Sequence, residues 1–176
     1  ETNSVRLYKA APFPYCWVFV TTLVKGLEFV DPSIVRFNDR WWLFTSVGSP
    51  PRRAGKLHLF YANDLLGPWT EHPSSPVIDG DAHIARPGGR LLVRGNHVIR
   101  YAQDCVPIYG RQVRAFEITV LTPTAYKERR LTWKPILRPS GAGWNAIGMH
   151  HIDAHPLPGG GWLACVDGWR RAASPL

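Results

Sequence analysis

The sequence predicts an all-β fold built as a β-propeller, and three observations carry that prediction. One is a hairpin pattern that recurs along the chain. Residues 31–46, DPSIVRFNDRWWLFTS, read as a strand at 34–37, a turn at Asn38-Asp39-Arg40 and a second strand at 41–45. Asn and Asp tolerate the left-handed backbone angles that a tight hairpin turn requires, and Trp, Leu and Phe suit a pleated, buried surface. The second observation is spacing. Asp31-Pro32 opens this unit and Arg86-Pro87 opens another 55 residues on, while outer strands beginning at 7, 59 and 115 keep steps of 52 and 56. The third is the near absence of amphipathic helical periodicity. A four-stranded unit repeating every fifty-odd residues is the signature of a propeller blade; a sandwich or an open meander has no reason to repeat its turn chemistry in step.

Taken in order, residues 1–24 carry strands at 5–10 and 17–24 joined by APFPY, and read as an outer half blade. Residues 31–72 form a full blade, in which LFYA at 59–62 and the tight turn Leu65-Leu66-Gly67-Pro68 lead to a strand bearing Trp69. Its Gly/Pro/Arg loop lies at 48–55, and a Ser/Pro/Gly connection follows at 73–84. Residues 85–134 form the next full blade, with a strand at 90–93, a turn at Arg94-Gly95-Asn96 and a strand at 97–102. In its outer portion, 121–128, Thr122 or Thr124 is expected to start a short helical turn. An extended connection at 135–147 leads into a final half blade, 148–171, with a Gly159-Gly160-Gly161 turn and a strand at 162–166. The single domain 1–176 is thus predicted as a partial propeller of about two full and two half blades. Each blade buries its faces only against its neighbours. Bare faces are therefore expected here, covered by oligomerisation or by chain before Glu1; a start on Glu rather than Met agrees with a partial product.

At 176 residues the chain can bury on the order of 70% of its unfolded surface. Eight Trp, seven Phe and six Tyr supply the core. No apolar run approaches the length of a membrane-spanning helix, and Glu1-Thr2-Asn3 lacks the basic and apolar segments of a signal peptide. Three cysteines, an odd and widely spaced set, argue against a disulfide framework or a metal-binding pair and favour a reducing compartment, the cytoplasm. Cys16 and Cys165 lie in strand-like runs and are expected in the core. The net charge of +8 is scattered, with doublets at Arg52-Arg53, Arg129-Arg130 and Arg170-Arg171. Nucleic-acid binders gather such charge into a stripe or helix. A basic soluble surface is the first reading, and a site for phosphate or uronate the second.

In a propeller the innermost strand of each blade starts at the central channel, where polar side chains converge. The residues at those starts are Asp31, His83 with Arg86, and His151 with Asp153 and His155; alternation puts 151, 153 and 155 on one side of their strand. Gln103 and Asp104 end a neighbouring strand. Such carboxylates, imidazoles and guanidinium hydrogen-bond sugar hydroxyls or anions. Each residue has a structural reading beside the functional one. Asp31 could cap its strand, Arg86 could pair with Asp104 or Asp153, and the histidines of 150–155 could be hydrogen-bonded structural groups rather than ligands of a divalent ion. The tryptophans at 41, 42, 69, 144, 162 and 169 read mostly as core, with Trp144 or Trp169 available as a sugar-stacking platform.

The DP-opened hairpin, the pair LFYAND and LLGPWTEHP, ARPGG, YAQDC and HHIDAHPLP together resemble the five-bladed propeller of family 43 glycoside hydrolases. Within that group the chain is most similar to the domain at the N-terminus of plant glucosamine inositolphosphorylceramide transferases and of bacterial homologues, and a bacterial origin is the expectation. The resemblance covers nearly the whole chain and implies further blades before Glu1. It implies sugar hydrolysis by acids at inner-strand starts, with Asp31 at the matching DP position, and it allows a cation such as calcium near His151. The chain departs from the hydrolase pattern at Arg86, where a carboxylate would be wanted. Glu71 lies in an outer strand, and Glu1, a possible remnant of an axial glutamate, stands at the terminus.

Two functions are therefore expected from different classes. One is a carbohydrate-active propeller with Asp31, Asp104 and Asp153 as catalytic carboxylates and His83, Arg86, Gln103, His151 and Trp144 holding a glycan or sugar phosphate. The other is a non-catalytic glycan-binding or scaffolding module that completes its ring as a homo-oligomer or within a longer chain. No resident cofactor, membrane or nucleic-acid partner is expected. A carboxylate pair about 5–9 Å apart would favour hydrolysis.

Overall fold

A computed structural model describes residues 3–48 and 55–171. Glu1 and the Arg52-Arg53 doublet lie outside the described residues. Fourteen strands form four antiparallel sheets that follow one another along the chain, and the described residues contain no α-helix, only a 3-10 turn at Gly143–Asn145. The first sheet pairs β1 (Ser4–Ala10) with β2 (Trp17–Lys25). The second comprises β3 (Phe29–Phe37), β4 (Arg40–Val47) and β5 (Lys56–Ala62), with the short pieces β6 (Thr70–Glu71) and β7 (Ile78–Asp79) both on the far edge of β5. In the third, β8 (Arg86–Pro87) and β9 (Leu92–Arg94) share one edge of β10 (His97–Asp104), which continues to β11 (Gln112–Thr122) and β12 (Ala125–Arg130). The fourth pairs β13 (Ile152–Pro156) with β14 (Trp162–Val166).

Local chemistry explains these elements. Asn38 and Asp39 sit at φ 48° and 56°, the two left-handed residues of a two-residue hairpin joining Phe37 to Arg40. The segment 121–128, expected to hold a helical turn, is instead a hairpin: Thr122 pairs with Ala125, and the Thr122 hydroxyl accepts the Ala125 N–H at 3.0 Å. Threonine satisfies a tight turn as readily as a helix start, and strand pairing on β11 decides between them.

Packing runs sheet to sheet in chain order. Val5 and Val24 of the first sheet meet Leu43 and Phe60 of the second. Val35, Trp42, Phe44, Leu57 and Leu59 of the second meet Leu91, Val98, Ile118 and Leu121 around the third. Tyr101, Val113 and Ala115 of the third meet Ile152 and Ala154 of the fourth. Strand β4 is apolar in succession because Trp42 and Phe44 serve one interface while Leu43 serves the other. Each such large side chain contributes about 1.5–3 kcal/mol through removal from water. Buried His72 adds a polar tie, with Nε2 2.9 Å from the Thr122 carbonyl and Nδ1 accepting the Ser74 N–H.

The end sheets differ from the middle ones. Trp17, Val18, Phe19 and Val20 are all exposed on β2, as are Trp162 and Leu163 on β14. Two expectations fail for this reason. Cys16 and Cys165, expected in the core, are exposed, and Cys105 is the buried cysteine. Of the tryptophans expected in the core, Trp42 is buried, Trp41, Trp69 and Trp169 are half-buried with Trp69 packed against the core, and Trp144 and Trp162 are exposed. Among the described residues the sheets do not close into a ring.

Candidate functional site

The seam of the inner strands forms an open cavity of about 480 Å³, walled by Asp31, Ser33, Arg90, Gln103, His151 and Asp153 among others. It exists because the inner strand is interrupted in each middle sheet. In β3 the pairing slips between Val30 and Ser33, and Asp31 takes φ 49°. A bulge of this kind turns a side chain out of the ladder, Asp tolerates the left-handed region, and Pro32, with no N–H to donate, fits where the ladder is broken. In the third sheet residues 88–91, beginning with Gly88-Gly89, separate β8 from β9. Gly89 sits at φ 138°, and a Cβ there would lie 1.9 Å from the Ile152 carbonyl oxygen. The two glycine carbonyls join three sheets at the cavity, Gly88 accepting the Ile152 N–H at 2.9 Å and Gly89 the Ser33 hydroxyl at 3.0 Å.

Asp31 does not cap its own strand through the backbone. Its Oδ2 accepts from Arg86 Nε in a short contact and from Gln103 Nε2 at 2.9 Å, while Gln103 also donates to the Pro87 carbonyl. Arg86 therefore pairs with Asp31, rather than with Asp104 or Asp153 as the sequence suggested. Its guanidinium lies over the Tyr109 ring, 4.9 Å from the centroid. Asp153 has its own cation, Arg90, whose Nε donates to Oδ1 at 2.8 Å, and His155 Nε2 lies 3.2 Å from Oδ2. Burial alone would raise the Asp153 pKa, but the hydrogen bonds from Arg90 and His155 hold it below the ordinary carboxylate value. His151 and Asp153 share the cavity, whereas His155 packs over Arg90. The backbone N–H groups of His150 and His151 both donate to Asp167 Oδ1, at 2.9 and 2.8 Å. His150 Nδ1 lies 2.5 Å from Asp167 Oδ2, an electrostatic contact without hydrogen-bond geometry.

Asp104 and His83 stand apart from this cavity. The Asp104 carboxylate is fully buried among His83 Nδ1 at 2.8 Å, Gln112 Nε2 at 2.7 Å, Arg114 Nε at 2.9 Å and the Val106 N–H at 3.2 Å. Burial pushes its pKa up, and these donors more than offset the push, so it ends below the ordinary value. Trp144 is exposed on the 3-10 turn with its ring against Gly168, and does not line the cavity.

No group of three or more His, Cys, Asp or Glu side chains among the described residues is arranged to hold a metal ion. Beside His151, both Asp153 oxygens are engaged, Oδ1 by Arg90 and Oδ2 by His155. No helix among the described residues is long and apolar enough to cross a membrane. Sequence reasoning brought Asp31, Gln103, His151 and Asp153 to one place, with Arg86 behind Asp31. It missed Ser33, Arg90 and Asp167. Arg90 carried a usable signal, since it follows the Gly-Gly break directly; Asp167 carried none beyond its place at the end of β14.

Residues 1–169 match the family described as glucosamine inositolphosphorylceramide transferase 1, N-terminal. The chain is 37% identical over 174 residues to glucosamine inositolphosphorylceramide transferase 1 of Oryza sativa subsp. japonica, covering 97% of the chain and 23% of that protein. Against the protein of the same name from Arabidopsis thaliana it is 31% identical over 180 residues, covering 100% of the chain and 23% of the relative. The chain thus spans about a quarter of the length of these curated relatives. They are plant proteins and lend no support to a bacterial origin. Among solved structures, the chain is similar to Zg3597, a family 117 glycoside hydrolase produced by the marine bacterium Zobellia galactanivorans, with a TM-score of 0.54 and 17% identity over 80% of this chain and 42% of that one. That likeness is one of fold.

Proposed function

Starting from the fact that this chain belongs to the glucosamine inositolphosphorylceramide transferase N-terminal family, we propose that its cavity binds a glycan and does not hydrolyse it. The observation that carries this reading is the engagement of every carboxylate proposed for chemistry. Glycoside hydrolysis needs one carboxylic acid kept protonated beside the leaving oxygen and a second carboxylate free to act as base or nucleophile. Asp31 holds Arg86 and Gln103 on one oxygen. Asp153 is ion-paired and shifted away from a proton donor's range. Asp104 has both oxygens filled and lies off the cavity. Ion-paired acids and bases that remain partly open to solvent are well suited to another task, holding pairs of sugar hydroxyls as acceptor and donor at once.

In this reading the four sheets are part of a five-bladed ring. The bare faces of β2 and β14 support that assignment, and further blades from a longer polypeptide or a second copy of the chain would cover them. Light scattering separates these: a folded, monodisperse monomer with its apolar faces exposed contradicts the need for closure. Binding is tested by titrating oligosaccharides into the wild type and Asp31→Asn, alongside a panel of chromogenic glycosides. The expected result is binding lost in the variant, with glycoside turnover at background in both. Turnover that Asp31→Asn abolishes overturns the non-hydrolytic reading.

A further inference from the structure

The net charge of +8 and the presence of Arg86 at an inner-strand start suggested an anionic ligand, yet the cavity itself is not basic. Arg90 is its lining arginine, and that guanidinium is held by Asp153. Arg86 is outside the lining, paired to Asp31 and stacked on Tyr109. Asp167 adds a third carboxylate directly behind His150 and His151. Two guanidiniums therefore face three carboxylates around this cavity, within a chain that is strongly basic overall. Surface charges farther away are screened over about 8–10 Å at ordinary ionic strength, so the excess outside does not reach the ligand.

Resting on the glycan-binding reading, we infer that this cavity selects an uncharged polyol, a neutral sugar residue, and discriminates against phosphate and uronate. A phosphate here would have to displace Asp31 from Arg86 or Asp153 from Arg90, leaving a carboxylate beside the anion. A neutral diol needs no displacement. Its hydroxyls donate to the open lone pairs of Asp31 and Asp153 and accept from the remaining N–H groups of Arg90, both N–H groups of the Gln103 amide being already given to Asp31 and Pro87. Specificity then comes from repulsion of the wrong ligand as much as from attraction of the right one.

The test titrates three probes into the full 176-residue chain by calorimetry: a neutral disaccharide, a hexose 1-phosphate and glucuronate, each at about 50 and 300 mM salt. The expected result is that the neutral sugar binds at least about tenfold more tightly than either anion, with an affinity insensitive to salt. Asp31→Asn, which releases Arg86, is expected to reverse this order, losing the neutral sugar and gaining about tenfold for the phosphate. Tighter binding of the phosphate by the wild type, weakening steeply with salt, overturns the selectivity while leaving glycan binding intact. Heat from none of the three probes overturns the glycan-binding reading itself, and this inference with it.

Discussion

Two arginine–carboxylate pairs of the same chemistry, each with its arginine on the third sheet, are built in opposite ways. Arg100 on β10 is 1% exposed, gripped by Glu128 through two hydrogen bonds of 2.7 and 2.8 Å, bonded to the Ile84 carbonyl and stacked on Phe116. Tyr126, whose own pKa is driven up by burial, adds its hydroxyl to Glu128 at 2.5 Å. Arg86 on β8 meets Asp31 with 23% and 38% of the two side chains still exposed, at the edge of a cavity. The first pair is sealed and every polar atom has a protein partner. The second keeps lone pairs and N–H groups facing open space. An ion pair in the core holds the fold together, whereas one at a cavity leaves valences unfilled, and in the proposed reading these are the ones a ligand takes.

The largest predicted effect breaks the sealed pair. Glu128→Gln leaves Arg100 charged and buried without its counter-ion, and should lower stability by about 3–5 kcal/mol in denaturant titration. Gly89→Ala comes next. Its Cβ would meet the Ile152 carbonyl at a φ that L-residues avoid, so a loss of about 1–3 kcal/mol is expected, together with loss of the cavity's shape. Asp31→Asn at the open pair should change stability by less than about 1 kcal/mol, because partly exposed pairs contribute little, while weakening glycan binding at least about tenfold. Equal destabilisation by Glu128→Gln and Asp31→Asn would erase the distinction between the two pairs.

A pH titration sharpens it further. The Asp104 pKa is lower in the folded chain than the ordinary carboxylate value. Its network therefore contributes fully above that value, and the contribution is lost as pH falls below about 4 toward the depressed folded value. Asp104→Asn should lower stability at neutral pH and flatten the acid limb of the stability curve. A curve as steep as that of the wild type would remove Asp104 as its source. The smallest effect belongs to Trp144→Ala, which touches neither pair and should leave neutral-sugar affinity unchanged.

The same contrast shows what the sequence could reveal. Turn residues such as Asn38-Asp39 and the recurrence of the hairpins depend on local chemistry, so the strands and their order were legible. Asp31, Gln103, His151 and Asp153 were legible as neighbours because period-two alternation and blade repetition carry geometry across long separations. Pair assignments were not. Arg86 could equally have reached Asp104 or Asp153, and only the bulge at Asp31-Pro32, a departure from the ladder, settles the choice. Arg100–Glu128 was silent, since alternation alone does not say which charged residue of a strand faces another sheet. The bare faces of β2 and β14 hid in the same way: their apolar residues read as core because exposure depends on what lies beside them.

The most direct measurement is a crystal structure of this chain soaked with a neutral oligosaccharide. The expected result is an intact sugar with vicinal hydroxyls on Asp31 and Asp153 and both arginine pairs unbroken. A cleaved sugar in the cavity, or an intact one bound elsewhere with the cavity empty, would contradict it.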